Sequence, residues 1–186
     1  MNKIKVIDNN RIFDNLMGFI EYLQFVKAHF KDNDSLSILE LGSFIGKSTS
    51  LIAEHFSKSD ITAIDTWVND FDNNDPICAF DFNVAENMFD KNTKFNYNIA
   101  KVKLSSVEAV TLFKDNTLDV VYIDANHNYK SCLEDLELWI PKIKKSGILS
   151  GHDYVSSGYS GVTQALEKLQ IVPDKIFIDS SWVKVL

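Results

Sequence analysis

The sequence has few of the features that secreted, membrane-spanning or nucleic-acid-binding proteins rely on. Its two cysteines, Cys78 and Cys132, are too few and too far apart for a disulfide framework or a metal-binding cluster. Every long apolar stretch is interrupted by a charged residue within a few positions, and the opening MNKIKVIDNN is charged where a signal peptide has its apolar core. A formal net charge of −7 leaves no basic surface for DNA or RNA. These absences predict a cytoplasmic protein with a small-molecule partner and neither a nucleic-acid nor a membrane partner.

The length of the chain predicts one folded domain. Its 186 residues, of which 45% are apolar, can bury the core of one α/β domain and are too few for two ordinary domains. We therefore predict a single domain over residues 1–186 that begins with a helical segment at 1–33. Residues 67–90 have an Asn/Asp-rich front that is longer than a typical connection, which favours a lid over a ligand. The sequence leaves open whether the protein forms a homo-oligomer.

Strand-like apolar runs alternate with amphipathic stretches along most of the chain. Strands are predicted at residues 37–42, 61–65, 95–104, 117–124 and 147–151, and helices at 11–30, 51–56, 77–91, 106–113, 130–144 and 160–170. This order requires right-handed βαβ crossovers, and hence a doubly wound, mostly parallel sheet with helices on both faces. The tail DKIFIDSSWVKVL adds two apolar runs at hairpin spacing. The prediction is an α/β fold with a seven-stranded sheet that ends in an antiparallel hairpin.

The stretch ELGSFIGKST, residues 40–49, follows the first predicted strand, where ligands of doubly wound sheets bind. A phosphate-binding P-loop needs a glycine five positions before the one in GK[ST], and Leu41 stands there, so the P-loop is excluded. A dinucleotide fingerprint needs G-x-G-x-x-G, and the loop has only Gly42 and Gly46, which weakens that alternative without excluding it. Carboxylates of Glu40, Asp65 and Asp124 at or near strand ends would repel a pyrophosphate. The loop therefore favours a cationic ligand.

These residues resemble a known family. The E-x-G-x-x-x-G of Glu40, Gly42 and Gly46, the acid Asp65 that ends the second strand, and the terminal hairpin resemble class I S-adenosylmethionine-dependent methyltransferases, which have a Rossmann-like fold. The motifs IDTW with Asp70 shortly after, YIDANHNY and GHDY are similar to those of small-molecule O-methyltransferases related to the catechol and macrolide-sugar enzymes. The resemblance covers nearly the whole chain, with its motifs in the same order on the same predicted strands.

The resemblance implies S-adenosylmethionine as cofactor and a set of residues that bind it. These residues are Glu40, Gly42, Ser43, Phe44, Gly46, Ser48, Asp65, Thr66, Trp67, Ser105, Ser106 and Asp124. The glycine loop would wrap the amino-acid end, Asp65 would accept hydrogen bonds from both ribose hydroxyls, and Trp67 would flank the adenine or close the pocket. Ser105 and Ser106 match the position that contacts the adenine edge. The residues alone also permit plainer roles, with the serines as helix caps and the tryptophan in the core.

The candidate catalytic residues are Asp124, His127, His152 and Asp153. They follow two predicted parallel strands, which bring their carboxyl ends to the same edge of the sheet. The resemblance implies that Asp124 and Asp153 bind a divalent cation, Mg²⁺ or Mn²⁺, but Tyr154 stands where related enzymes have a third, Asn or Asp, ligand. A histidine acting as general base is the alternative way to activate an acceptor hydroxyl. Either histidine alone is equally well explained by hydrogen bonds to loop backbone.

The predicted function is methyl transfer from S-adenosylmethionine to a small polar acceptor, with a hydroxyl of a sugar or another metabolite as the favoured group. An NAD-dependent oxidoreductase is the alternative that the loop spacing disfavours. A protein methyltransferase is disfavoured because no peptide groove is recognisable. A catalytically inactive S-adenosylmethionine-binding protein remains open at this stage.

Overall fold

The structure is a computed structural model that describes residues 9–31, 33, 35–69, 80–155 and 160–186, with side chains from Leu16 onward. Its strands are β1 (Ser37–Leu41), β2 (Asp60–Asp65), β3 (Ile99–Lys103), β4 (Leu118–Ile123), β5 (Ile143–Gly151), β6 (Lys175–Ile176) and β7 (Trp182–Val185). Its helices are α1 (Asn9–His29), α2 (Lys47–His55), α3 (Phe82–Thr93), α4 (Ser106–Ala109), α5 (Tyr129–Trp139) and α6 (Gly161–Lys168). Short 3₁₀ turns follow α4 and α5, at Val110–Leu112 and Ile140–Lys142. Within the described residues, no helix combines the length and apolar character needed to cross a membrane.

The seven strands form one sheet in the order β3-β2-β1-β4-β5-β7-β6. The pairs from β3 to β5 are parallel, whereas β7 is antiparallel to both β5 and β6. This confirms the predicted mostly parallel, doubly wound sheet with its C-terminal antiparallel hairpin. The order reverses between β1 and β4, so the loops that follow these two strands diverge and leave a crevice at the carboxyl ends.

Helices cover both faces of the sheet, and the apolar side chains of the central strands are divided between the two faces. On β4, Val121 belongs to one core cluster with Trp139 of α5, and Val120 belongs to the opposite cluster with Tyr22 of α1. The alternation follows from the two-residue period of side chains along a strand. Burial on both faces explains why the run from 117 to 124 is almost continuously apolar.

The predicted helix at 130–144 is wrong beyond Trp139. The chain leaves α5 there, passes through the 3₁₀ turn that contains Pro141, and begins β5 at Ile143. Proline lacks the N–H that a continuing helix needs, and its ring collides with the preceding turn. Apolar residues at 140 and 143 continue the helical period of α5, so the apolar pattern did not show that the helix ends at Trp139.

Two other predicted elements are shorter than expected. Of residues 95–104, only Ile99–Lys103 form a strand, and of residues 106–113, only Ser106–Ala109 form an α-helix. The first part of the predicted helix at 77–91 lies outside the described residues, and α3 begins at Phe82 after Asp81, whose side chain accepts a hydrogen bond from the Asn83 N–H.

The two outer strands of the sheet differ in length, since β3 has 5 residues and β6 has 2. Strand β3 carries Lys101 and Lys103, whose amines pair with carboxylates of α3, at 2.7 Å from Asp90 and 2.5 Å from Glu86 respectively. At the other edge, β6 is only Lys175–Ile176.

Candidate functional site

The loops at the carboxyl ends of β1, β2 and β4 surround a cavity of about 210 Å³, called here the strand-edge cavity. Its lining residues are Leu41, Gly42, Ile64, Asp65, Thr66, Leu104, Ser105, Ser106, Val107, Ala125, Asn126, Ser131, Glu134 and Asp135. Five of the predicted cofactor residues are among them, namely Gly42, Asp65, Thr66, Ser105 and Ser106. The cavity therefore lies where the sequence placed the ligand.

The glycine loop presses against the end of β4. Gly42 has φ +84°, and a Cβ at this position would lie 1.9 Å from the backbone oxygen of Asp124. No side chain fits into that space, so the close approach requires glycine. Gly46 has φ +74° and its N–H donates to the Ser43 carbonyl oxygen at 2.7 Å, which turns the chain into α2. The backbone geometry thus explains why glycine stands at both positions of the motif.

Asp65 joins the two loops on either side of the cavity. Its carboxylate accepts a hydrogen bond from the Phe44 N–H at 2.8 Å and another from the Trp67 N–H at 2.7 Å. Because a carboxylate has about four acceptor positions, these backbone bonds are compatible with the ribose contact that the resemblance implies. Asp65 also fixes the glycine loop, a second role that the sequence did not predict.

Trp67 is 3% exposed and does not line the strand-edge cavity. Its ring packs edge-on against Phe89 at 5.0 Å between centroids, and its indole N–H donates to the Phe44 carbonyl oxygen at 2.7 Å. The ring therefore occupies the core position that the sequence left as the plainer alternative. Residues 70–79 of the predicted lid lie outside the described residues. Beyond them, Phe80 packs against Phe44 at 5.1 Å between ring centroids.

Glu40 lies beneath the glycine loop and is 0% exposed. One of its carboxylate oxygens accepts a hydrogen bond from the Thr49 hydroxyl. Burial raises the pKa of Glu40 to about 7, because the charged form loses its hydration, and the surrounding hydroxyl groups oppose the shift without cancelling it. Glu40 therefore holds its proton over a pH range in which the unfolded chain would lose it.

The free energy of unfolding should consequently fall as pH rises from the unfolded pKa of Glu40 to its folded pKa. The contribution is fully present below the unfolded pKa and is lost as pH approaches the folded pKa of about 7. Glu40→Gln keeps the shape and removes the titration, so the free-energy difference between variant and wild type should shift by on the order of 1 to 3 kcal/mol between about pH 5 and pH 8. Urea unfolding across that range measures it. Parallel profiles for the two proteins would contradict the raised pKa.

The hydroxyls of Ser105 and Ser106 are already engaged. Ser105 caps α4, accepting from the Glu108 N–H at 3.3 Å while its hydroxyl donates to the Glu108 carboxylate at 2.6 Å. Ser106 accepts from the indole N–H of Trp139 at 2.8 Å, and its hydroxyl donates to Asp135. Ser105 therefore has the capping role that the sequence left open. Contact of either serine with an adenine edge remains a prediction.

The predicted catalytic residues meet beside the glycine loop and form what is called here the acid–histidine cluster, consisting of Asp124, His127, His152 and Asp153. The His127 Nε2 atom lies 3.4 Å from Asp124 Oδ1 and 3.0 Å from Asp153 Oδ2. The His152 Nδ1 atom lies 3.2 Å from the same Asp153 oxygen. Asp153 adopts a left-handed backbone with φ 60°, a conformation that Asp and Asn adopt more readily than other residues with a side chain.

The carboxylates of this cluster change the proton affinity of both imidazoles. Hydrogen bonds to Asp124 and then Asp153 raise the pKa of His127 to about 10. Burial acts to lower the pKa of His152, but the hydrogen bond to Asp153 and the nearby carboxylates outweigh it and raise that pKa to about 9. Burial alone would raise the pKa of Asp153, yet the two imidazoles hold it well below its usual range. The raised pKa values favour the doubly protonated, cationic form of both imidazoles at neutral pH, which has no lone pair for a general base or for a metal ion.

Three residues of the cluster also present metal-binding atoms. Asp124, His152 and Asp153 each offer one ligand atom, and these atoms lie within 4.8 Å of one another. Two carboxylates and an imidazole fit a divalent cation, and the imidazole suits Mn²⁺ better than the oxygen-preferring Mg²⁺. Tyr154 packs against the core, and its N–H donates to the Ser180 carbonyl oxygen at 3.1 Å. A cation at these atoms would require His152 to lose the proton that its raised pKa holds at neutral pH, and His152 would then take the place of the third ligand that Tyr154 does not supply.

Sequence reasoning missed two buried carboxylates next to these sites. Asp179, in the turn between β6 and β7, is 6% exposed, and its Oδ2 atom lies 4.0 Å from His152 Nε2. Asp135 lies on α5 and lines the strand-edge cavity. Nothing in the sequence connects the terminal hairpin with the GHDY motif. Asp135 could have been recognised from the sequence, because it is an acidic residue on the apolar side of the predicted helix.

Comparison with known proteins identifies the group to which this arrangement belongs. A family model described as a methyltransferase domain matches residues 39–154, which contain the glycine loop, Asp65 and the whole acid–histidine cluster. An uncharacterized protein of Acanthamoeba polyphaga mimivirus is 27% identical over 154 residues. The matched part is 77% of this chain and 64% of that protein, so the chain spans less than two thirds of its relative.

Solved structures with the same fold include two methyltransferases. The O-methyltransferase NovP is 17% identical with a TM-score of 0.65, and the match covers 90% of this chain and 78% of NovP. A precorrin-6y C5,15-methyltransferase from Geobacter metallireducens is 13% identical with a TM-score of 0.60, over 88% of this chain and 85% of that one. At these identities the likeness concerns the fold alone.

Proposed function

The chain belongs to the methyltransferase family whose model matches it, and from that membership we propose that it transfers the methyl group of S-adenosylmethionine to a hydroxyl oxygen of a small polar acceptor, such as a sugar or another metabolite. The observation that carries the proposal is the double role of Asp124. Its backbone oxygen packs so closely against Gly42, which lines the strand-edge cavity, that no side chain fits between them, while its own side chain belongs to the acid–histidine cluster. A cofactor site and an acidic reaction site therefore adjoin at one residue.

The cavity offers groups that suit the cofactor. When bound, S-adenosylmethionine supplies an electrophilic methyl group on a positively charged sulfur. Gly42 brings the loop backbone close to the end of β4, and Asp65 presents a carboxylate to a diol. The carboxylates around the cavity favour a ligand with positive charge.

The acid–histidine cluster supports a hydroxyl acceptor because a hydroxyl must lose its proton as its oxygen forms the new bond to carbon. The C–S bond breaks as the C–O bond forms, so the protein must align the acceptor with the sulfonium carbon and stabilise the departing proton. Asp124, His152 and Asp153 would hold a divalent cation, which would lower the pKa of the acceptor hydroxyl and fix its orientation. A histidine acting as the base is the second mechanism, and it requires His127 or His152 first to lose the proton that its carboxylate partners hold on the ring.

Cofactor binding is the first test of this function. S-adenosylmethionine and S-adenosylhomocysteine should raise the melting temperature, whereas NAD and ATP should not, because the glycine loop lacks the spacing for a pyrophosphate. Asp65→Ala should weaken S-adenosylhomocysteine binding by about 1 to 3 kcal/mol, since it removes the charged acceptor of the ribose hydroxyls. Isothermal calorimetry measures the loss.

Asp60→Ala is the matched control for Asp65→Ala. Asp60 begins the same strand at its opposite end and is exposed, so this change should leave ligand affinity unaltered. Stabilisation by NAD together with no response to either sulfur ligand would overturn the proposed function. Equal affinities of the Asp65 variant and wild type would place the ribose elsewhere.

A further inference from the structure

Helix α5 carries a carboxylate on its buried side. Cys132, Leu136 and Trp139 form the apolar side of this helix at a spacing of three and four residues, and Asp135 lies among them. Asp135 is 6% exposed, whereas its neighbour Glu134 is exposed. Placing a carboxylate among apolar side chains costs free energy unless its oxygens find hydrogen-bond donors. A buried acid at this position therefore calls for partners on both oxygens.

Within the part of the chain that the structure describes, a side-chain donor reaches only one of the two oxygens of Asp135. The Oδ1 atom of Asp135 accepts the hydroxyl hydrogen of Ser106. The direction of that bond is fixed, because the indole N–H of Trp139 donates to the same hydroxyl oxygen at 2.8 Å. Within the described residues, no side-chain hydrogen bond reaches the Oδ2 atom. Burial raises the pKa of Asp135 to about 6, as expected of a carboxylate that is short of donors.

Asp135 faces the strand-edge cavity, which has the features of a nucleobase site at this end. Asp65 at the end of β2 and Asp135 on α5 both line the cavity, and the apolar side chains of Leu104, Val107 and Ala125 line it with them. Apolar side chains suit the faces of an aromatic ring, and a carboxylate on the edge of such a site suits an N–H donor. Ser106 has no hydroxyl hydrogen left for the ligand, because that hydrogen is bound to Asp135.

We propose that Asp135 selects the base of the cofactor, with its Oδ2 atom accepting a hydrogen bond from the 6-amino group of adenine. The inference rests on the proposed function, since it assumes that a nucleoside occupies the cavity. A 6-amino group is a donor and completes the hydrogen bonding of the buried carboxylate. A 6-oxo group is an acceptor, so it would place two oxygens against each other and leave the carboxylate without its second partner.

Calorimetry with a matched pair of ligands tests this role without measuring activity. The probes are S-adenosylhomocysteine and its inosine analogue, which carries a 6-oxo group in place of the 6-amino group. Wild-type protein should prefer the amino ligand by about 10-fold to 100-fold, the range of a hydrogen bond to a charged group. Asp135→Asn keeps an acceptor for Ser106 and can turn an amide N–H₂ toward the ligand, so the preference should fall by about 10-fold or more.

Glu137→Gln is the matched control, since it removes an exposed carboxylate of the same helix that does not line the strand-edge cavity, and it should keep the wild-type preference. A purely structural role of Asp135 would lower the melting temperature and weaken both ligands equally, leaving their ratio unchanged, and that result would overturn the inference. Wild-type protein that binds neither ligand would overturn the proposed function as well. The two outcomes can be told apart, because wild type still binds S-adenosylhomocysteine tightly when only the role of Asp135 is wrong.

Discussion

Chelation of divalent cations is expected to lower methyl transfer by about 10²-fold or more, and added Mn²⁺ or Mg²⁺ to restore it. Asp124, His152 and Asp153 present their ligand atoms within 4.8 Å of one another, and Asp124 directly precedes Ala125, which lines the strand-edge cavity. Without a cation at these atoms, the acceptor hydroxyl would keep its ordinary pKa and lose its fixed orientation. Transfer of a labelled methyl group to hydroxylated acceptors measures the effect, and calorimetry with S-adenosylhomocysteine checks that the chelator leaves cofactor binding intact.

The same assay separates the two ways of activating the acceptor when it is repeated on His127→Ala. Chelator-resistant activity that falls by about 10²-fold to 10⁴-fold in His127→Ala, with cofactor affinity retained, would point to a histidine base in place of a metal. Activity that survives both treatments would contradict both mechanisms and leave catalysis to the alignment of the two substrates. The raised pKa values of the two histidines bear on both mechanisms alike, since a general base at His127 and a metal ligand at His152 each require the loss of a proton.

Gly42→Ala is expected to cost about 4 kcal/mol or more of the free energy of unfolding, at the upper end for single substitutions. The added Cβ would lie 1.9 Å from the Asp124 backbone oxygen and would occupy a backbone conformation with φ +84°. Neither the glycine loop nor the end of β4 can retreat without separating hydrogen-bonded strands, since the Asp124 N–H donates to the Leu41 carbonyl oxygen at 2.9 Å. Urea denaturation measures the loss.

Ser43→Ala is the control for this substitution. Ser43 is the next residue of the same loop and is 2% exposed, and its hydroxyl lies near the buried Glu40 carboxylate without a hydrogen bond of ordinary geometry within the described residues. Removing the hydroxyl should therefore change stability by less than about 0.5 kcal/mol. If Gly42→Ala unfolded at the same urea concentration as Ser43→Ala, the close contact between the loop and β4 would be refuted.

The central strands were predictable because their signal is local. Runs such as ITAID and TLDVVYID are apolar over the length of one strand and are bounded by polar residues, and both are strands within one residue of the predicted limits. The junction of α5 and β5 was not predictable in the same way. Apolar residues at 140 and 143 continue the helical period, and only Pro141 signals the break, whose exact position depends on pairing with β4.

The site divides in the same manner. Motifs that directly follow a strand, such as Gly42, Asp65 and the pair His152 and Asp153, could be placed at one edge of the sheet from chain order alone. Whether the Trp67 ring lies in the cavity or in the core could not be predicted in this way, because its position depends on packing against Phe89 of α3. Asp179 and His152 are far apart in the sequence and come close only when the C-terminal hairpin folds, so no spacing in the sequence could reveal their contact.

The outer strands determine how the sheet can meet other chains. An edge strand exposes unpaired N–H and C=O groups that can template the strand of a neighbouring molecule and start aggregation. On β3, Lys101 and Lys103 place charges beside that edge and are tethered to α3 by ion pairs, so an incoming strand would have to displace them. At the opposite edge, the two residues of β6 offer too short a row for stable pairing. Both edges of the described sheet therefore carry features that disfavour pairing with a strand of another molecule.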